Sequence, residues 1–197
     1  MKLYLNKASP YARLVIVVAH EKDLADRIEL VWTDPWASEP TLLAATPLAK
    51  VPVLLAEDGE PLVESACICD YLDAIGSGRA LRPIEKAARH ACLRKYGLGR
   101  GLIDAAFGAV IQKRYAAGAG SLLETRWRSA AARAVSWLER LPNGDDEPDL
   151  GDLSIAVGLS YLDFRMAELD WRAGAPRLGT WFGKVSRRAS MRMTEPE

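Results

Sequence analysis

Gly76-Ser77-Gly78-Arg79 divides the sequence into two textures. Before it, short apolar runs of strand length alternate with helix-patterned stretches. After it, every apolar pattern has helical spacing and no strand-like run follows. Such a chain is expected to build a small α/β domain followed by an all-helical one. In the first part, Lys2 to Asn6 alternates as a strand. Ser9-Pro10 then opens a helix to about His20, because serine suits the N-cap and proline the first helical position. Ile28 to Trp32 is a second strand, which completes a βαβ unit whose crossover is right-handed. A short helix near Thr41 to Ala45 precedes strands Val53–Ala56 and Pro61–Val63. Asp58-Gly59 makes the connection between them a hairpin turn. Ser65 to about Ile75 is a helix, which closes a βαβ-ββα domain over residues 1–77. Helices over about 84–115, 121–141, 149–167 and 176–189 make up a second domain, 84–197, interrupted at Leu141-Pro142-Asn143-Gly144-Asp145-Asp146. Asp149 is a competent N-cap, and Asp152 suits the first turn that follows.

Composition excludes some functions and leaves others open. The formal net charge is zero, which gives no support for nucleic-acid or anionic-membrane binding. No apolar run approaches the roughly 18 residues of a membrane helix, and residues 1–6 lack a secretory apolar core. Cys67, Cys69 and Cys92 are odd in number and have no framework spacing, so reduced thiols and a cytoplasmic setting are expected. Cys67 and Cys69 stand two apart on a helix and face different ways. His20 and His90 have no partner at metal-ligand spacing, and no metal site is expected.

Chemistry concentrates at two short segments. Lys50-Val51-Pro52 precedes a strand, and proline at a strand's first position costs no ladder bond. A cis Val51-Pro52 bond, which proline permits at roughly 0.5–1 kcal/mol, would turn the Val51 N–H and C=O outward to pair with an extended peptide. Further on, Ser65 at a helix start can hold a carboxylate near the positive end of the helix dipole. Glu64 beside it can take an ammonium. Together these features fit a small peptide with an α-amino acid end. Each has an ordinary reading too: Ser9 and Ser65 as caps, Glu64 as a strand-end charge, Lys50 as a solvated lysine.

With Ser9-Pro10-Tyr11-Ala12-Arg13, Thr46-Pro47-Leu48-Ala49-Lys50-Val51-Pro52, Glu64-Ser65, Asp149-Leu150-Gly151-Asp152 and the closing Thr194-Glu195-Pro196 in order, the whole chain resembles a bacterial glutathione S-transferase of the YibF-like branch. The resemblance implies a thioredoxin-like N-terminal domain that binds glutathione as cosubstrate, with no further cofactor. It also implies an all-helical C-terminal domain that contributes to the acceptor site, a homodimer, and addition of the glutathione thiolate to a small apolar electrophile. Carried over by position, Val51 pairs with the cysteinyl part ahead of cis Pro52. Glu64 and Ser65 hold the γ-glutamyl end, Lys50 lies near the glycyl end, and Ser9 faces the sulfur as the catalytic residue. Asp104 occupies the position that reaches toward a partner's site. Three departures stand out: Thr46-Pro47-Leu48-Ala49 replaces the usual Asn-Pro-Leu-Gly, Asp149 replaces a common serine or threonine, and the sulfur-facing position carries Ser9, neither tyrosine nor cysteine.

A serine hydroxyl is strong enough for the role. Lowering a thiol from a pKa of about 8.5 to about 6.5 needs roughly 2.7 kcal/mol. A hydrogen bond to a charged group contributes about 1.5–3 kcal/mol and a helix end about 0.3–1 kcal/mol. The thiolate fraction at pH 7 rises roughly 25-fold, but a Brønsted slope of about 0.4–0.5 returns close to tenfold. Positioning of the electrophile must supply the rest. Two rival readings are a glutaredoxin-type oxidoreductase and a non-catalytic binding protein of the same fold. The first lacks sulfur at either redox position of Ser9-Pro10-Tyr11-Ala12. Tyr115, Trp127 and Trp171 are candidates for an acceptor pocket or for ordinary helical core, and Arg13 for a structural ion pair.

Overall fold

The structure, a computed structural model, describes residues 1–115, 121–141 and 147–196. The break expected over Pro142 to Asp146 lies outside the described residues. Two compact units are present, Met1–Arg82 with Ala189–Glu197, and Pro83–Arg188.

The first unit is built on a four-stranded sheet in the order β2-β1-β3-β4. Its strands are β1 (Lys2–Leu5), β2 (Glu29–Trp32), β3 (Val53–Leu55) and β4 (Pro61–Val63). β1 and β2 are parallel, joined through helix α1 (Pro10–Glu21), while β3 runs antiparallel to both β1 and β4. The β3–β4 turn forms at Asp58-Gly59 as the sequence suggests. Gly59 takes a φ of +85°, which glycine adopts without steric cost. One face of the sheet carries Tyr4, Val53, Leu55 and Val63, which pack with Leu42 and Ala45 of α2 (Pro40–Ala45). Strand alternation sends Leu3, Leu5 and Leu54 to the opposite face, where all three are fully buried. Helices α1 and α3 (Ser65–Ile75) pack on one another and add Leu14, Val17, Val18, Ile68 and Leu72 to the core.

A buried ion pair fixes the chain as it leaves α3. Lys22 is 1% exposed, with Nζ 3.1 Å from the Asp73 carboxylate, and it donates to the Arg79 carbonyl at 2.9 Å. Asp73 also accepts from the Leu81 and Arg82 amides. Nothing in the sequence marks Lys22 as buried.

The helical unit contains α4 (Lys86–Tyr115), α5 (Leu122–Leu138), α6 (Leu150–Arg165), α7 (Trp171–Gly174) and α8 (Pro176–Val185). Every residue from Leu150 to Leu159 is buried, so α6 is the core of this unit. Gly99 of α4 allows the close approach, since a Cβ there would stand 2.6 Å from the Ile155 nitrogen. The start of α6 is a capping box in which Asp149 and Asp152 each accept the other's amide. Lys95 reaches both carboxylates, at 2.7 and 2.6 Å. Burial and the neighbouring Asp149 push the Asp152 carboxyl up, against the pull of Lys95.

The last segment departs from expectation. Helix α9 (Ala189–Arg192) and the residues after it belong with the first unit rather than with the helical domain drawn to 197. Arg13 is the physical reason. It is buried on α1, donates to the Met191 carbonyl at 3.1 Å and reaches Thr194 Oγ1 at 3.4 Å. Burial lowers its pKa to about 10, partly offset by the Glu195 charge. The Ser-Pro-Tyr-Ala-Arg stretch and the Thr-Glu-Pro tail are thus partners in space.

Candidate glutathione site

Strand register brings the residues of interest to one end of the sheet. Because β3 is antiparallel to β1, with Tyr4 opposite Val53, the chain enters β3 where it leaves β1. Val53 stands opposite Val63, so the chain leaves β4 at that same end. Ser9 follows β1, Lys50-Val51-Pro52 leads into β3, and Glu64-Ser65 follows β4. Residues far apart in sequence are therefore gathered at the edge where the α1 and α3 helices begin.

Each one is locally prepared. Ser9 is the N-cap of α1 with φ −82° and ψ 115°, and its Oγ accepts the Ala12 amide at 3.2 Å. That contact uses one acceptor position of the hydroxyl and leaves its O–H donor for another group. The Val51-Pro52 peptide is cis. Among the described residues no hydrogen bond engages the Val51 main chain. Lys50 is exposed and has no ion pair among the described residues.

The start of α3 corrects one expectation. Ser65 is the first helical residue, 2% exposed, and the N-cap position belongs to Glu64. Glu64 has φ +69° and its side chain caps nothing, so the exposed carboxylate remains directed to solvent or ligand. A non-glycine residue in the left-handed region costs about 1–2 kcal/mol, and such strain concentrates at functional positions. Ala49, with φ +49°, bears a comparable cost where the family commonly has glycine. Thr46 works where asparagine is usual, because its Oγ1 accepts the Leu48 amide at 3.3 Å and so holds the turn.

Other candidates separate from this cluster. Asp104 lies on α4 in the helical unit, 3.5 Å from Arg100. Trp171 is 5% exposed, and its indole N–H donates to Asp163 at 2.8 Å, which makes it core. Trp127 lies half-buried against Gly108, while Tyr115 is exposed. Cys69 and Cys92 are buried and Cys67 is exposed. Two features had no counterpart in the sequence reading: the Asn6 side chain, which braces the Ser9 turn, and Trp32. Trp32 is opposite Leu5 at this same sheet end, with half its surface exposed.

Both units have counterparts among known proteins. The model for the glutathione S-transferase N-terminal domain matches residues 8–75, and that for the C-terminal domain matches residues 102–184. The fold superposes with a TM-score of 0.93 on a glutathione transferase family member from Pseudomonas fluorescens Pf-5 with bound glutathione. The two are 33% identical, over 100% of this chain and 98% of that one. The chain belongs to the glutathione S-transferase family. A Methylobacterium radiotolerans glutathione S-transferase in complex with glutathione sulfonate is 31% identical, with a TM-score of 0.88 over 99% of this chain and 94% of the other. The Escherichia coli K12 protein described as the uncharacterized GST-like protein YibF is 28% identical over 201 residues, covering 100% of this chain and 98% of its own length. The sheet described above is the glutathione S-transferase N-terminal fold, and the helical unit its C-terminal counterpart.

Proposed function

We propose that this glutathione S-transferase binds glutathione at the Ser9–Val51–Ser65 end of its sheet and adds the thiolate to small apolar electrophiles. The observation that carries the reading is the convergence, by register, of an uncommitted Val51 main chain, an uncapped α3 start and a hydroxyl with its donor unused. The cysteinyl part of glutathione pairs with Val51 as an added strand would. Glu64 takes the α-ammonium, while Ser65 and the first amides of α3 hold the α-carboxylate. Lys50 faces the glycyl carboxylate as a point charge. Ser9 donates its O–H to the sulfur, so the thiol proton leaves to solvent and the thiolate is retained. The sulfur then forms a C–S bond, with the electron pair passing to a leaving group or to a carbon that takes up a proton.

Support comes from relatives as well. Pseudomonas fluorescens and Methylobacterium family members carry glutathione, S-(propanoic acid)-glutathione or glutathione sulfonate. The first two are the thiol and a thioether of the kind the proposed reaction forms. The exposed Trp32 indole at the same sheet end suits an apolar acceptor. Homodimerisation, with Asp104 serving the partner's site, belongs to the same proposal. A monomeric mass by light scattering at micromolar concentration would remove it.

The test is a calorimetric glutathione titration followed by a thiol-consumption assay with small aromatic and alkyl electrophiles. Saturable binding with conjugate formation is expected. Binding without transfer to any electrophile would point to a non-catalytic binding protein, and no binding would overturn the site.

A further inference from the structure

Asn6 does three separate things within four residues of Ser9. Its carbonyl accepts the Ser9 amide at 3.1 Å, which closes the turn between β1 and α1. Its side-chain Oδ1 accepts the Ala8 amide at 3.0 Å. Its Nδ2 donates to the Thr33 carbonyl at 3.3 Å, just beyond β2. The last contact continues the β1–β2 ladder by a side chain, since the Thr33 amide already donates to the Leu5 carbonyl at 3.0 Å. A carboxamide carries donor and acceptor together on a short stem, which is what this double contact needs. An aspartate would lose the donor, and an aliphatic residue would lose both contacts.

Hydrogen-bond strength falls steeply with angle and distance, so a donor on a loose turn stabilises a thiolate less than one held in place. We infer that Asn6 is a positioning residue that sets the Ser9 hydroxyl against the glutathione sulfur. It acts through Ser9 and touches no substrate itself. This inference rests on the serine reading proposed above, and the test separates the two.

Thiolate absorbance of the glutathione complex is followed against pH for the wild type, Asn6→Ala, Asn6→Ser, Ser9→Ala and the double variant Asn6→Ala/Ser9→Ala. Asn6→Ala should raise the thiol midpoint by about half a unit to one unit, part of the roughly one to two units expected of Ser9→Ala. Asn6→Ser should recover most of that shift, because a hydroxyl accepts from the amide two residues on, though more weakly. The double variant should titrate with Ser9→Ala alone, since residues acting through one contact do not add. If Asn6→Ala fails to fold, Asn6→Gln serves in its place: its longer stem misplaces both contacts and shifts the midpoint in the same direction. An unmoved Asn6 variant beside a displaced Ser9→Ala overturns this inference alone, as does a double variant whose shifts add. A Ser9→Ala curve that superimposes on the wild type overturns the serine reading and this inference with it.

Discussion

Helices α3 and α6 begin in opposite ways. The start of α6 is closed by its own chain: Asp149 and Asp152 exchange amide contacts, and Lys95 pairs with both carboxylates. The start of α3 has no such box. Glu64 occupies its N-cap position with a left-handed φ and a side chain that caps nothing. Both starts carry acidic residues. A helix end that satisfies itself stabilises the fold, whereas one held open at the expense of backbone strain is available to a ligand.

That contrast breaks first at α6. Asp152→Ala should lower unfolding stability by about 2–4 kcal/mol, because it removes one half of the capping box and leaves Lys95 with Asp149 alone. Denaturant unfolding measures the change. The pair also has a pH signature. Burial alone would lower the Lys95 ammonium, but Asp149 and Asp152 raise it above the ordinary 10.5. The contribution is therefore full below pH 10.5 and lost as pH climbs through the raised value. As pH rises above 10.5, wild-type stability should fall more steeply than that of Asp152→Ala; parallel curves would contradict the assignment.

At α3 the same kind of change should move binding instead. Ser65→Ala should weaken glutathione affinity by about 1–3 kcal/mol, the range for unpairing a charged acceptor, as read by calorimetry. Unchanged affinity would remove Ser65 from the carboxylate site. Glu64→Gly sharpens the comparison further. Relief of the positive φ, less the entropy of glycine, should stabilise the fold by about 0.5–1 kcal/mol, while affinity for glutathione falls. A gain in both would mean that the strain serves no ligand. The smallest effect belongs to Ala49→Gly, where a stability gain of about 0.5 kcal/mol with unaltered affinity is expected.

Much of this was legible because it is local. The Ser9-Pro10 helix start, the Asp58-Gly59 turn and the strand–helix order depend on neighbours a few residues apart, and the structure reproduces them. The resemblance carried by Val51-Pro52 and Glu64-Ser65 singles out the segments of the proposed glutathione end, and register explains why those segments meet. Long-range polar contacts escaped the reading. Lys22 looks like any surface lysine until Asp73 and the Arg79 carbonyl enclose it. The tail could not be placed with the first unit without knowing that Arg13 is buried against it. Ser65 reads as a cap, yet the cap position belongs to Glu64, because the chain leaves β4 in a left-handed conformation that no local preference of glutamate foretells.

The central claim is that Ser9, beyond capping α1, donates its hydroxyl to the glutathione sulfur. Thiolate absorbance of the protein–glutathione complex against pH, for wild type and Ser9→Ala, tests it most directly. Loss of the cap alone should lower stability by about 1 kcal/mol and leave the thiol where it was. Loss of a donor to sulfur should raise the thiol midpoint by roughly one to two units, equivalent to about 1.4–2.7 kcal/mol. The account predicts the displaced curve. Superimposable titrations would show that Ser9 only caps its helix and that sulfur activation lies elsewhere.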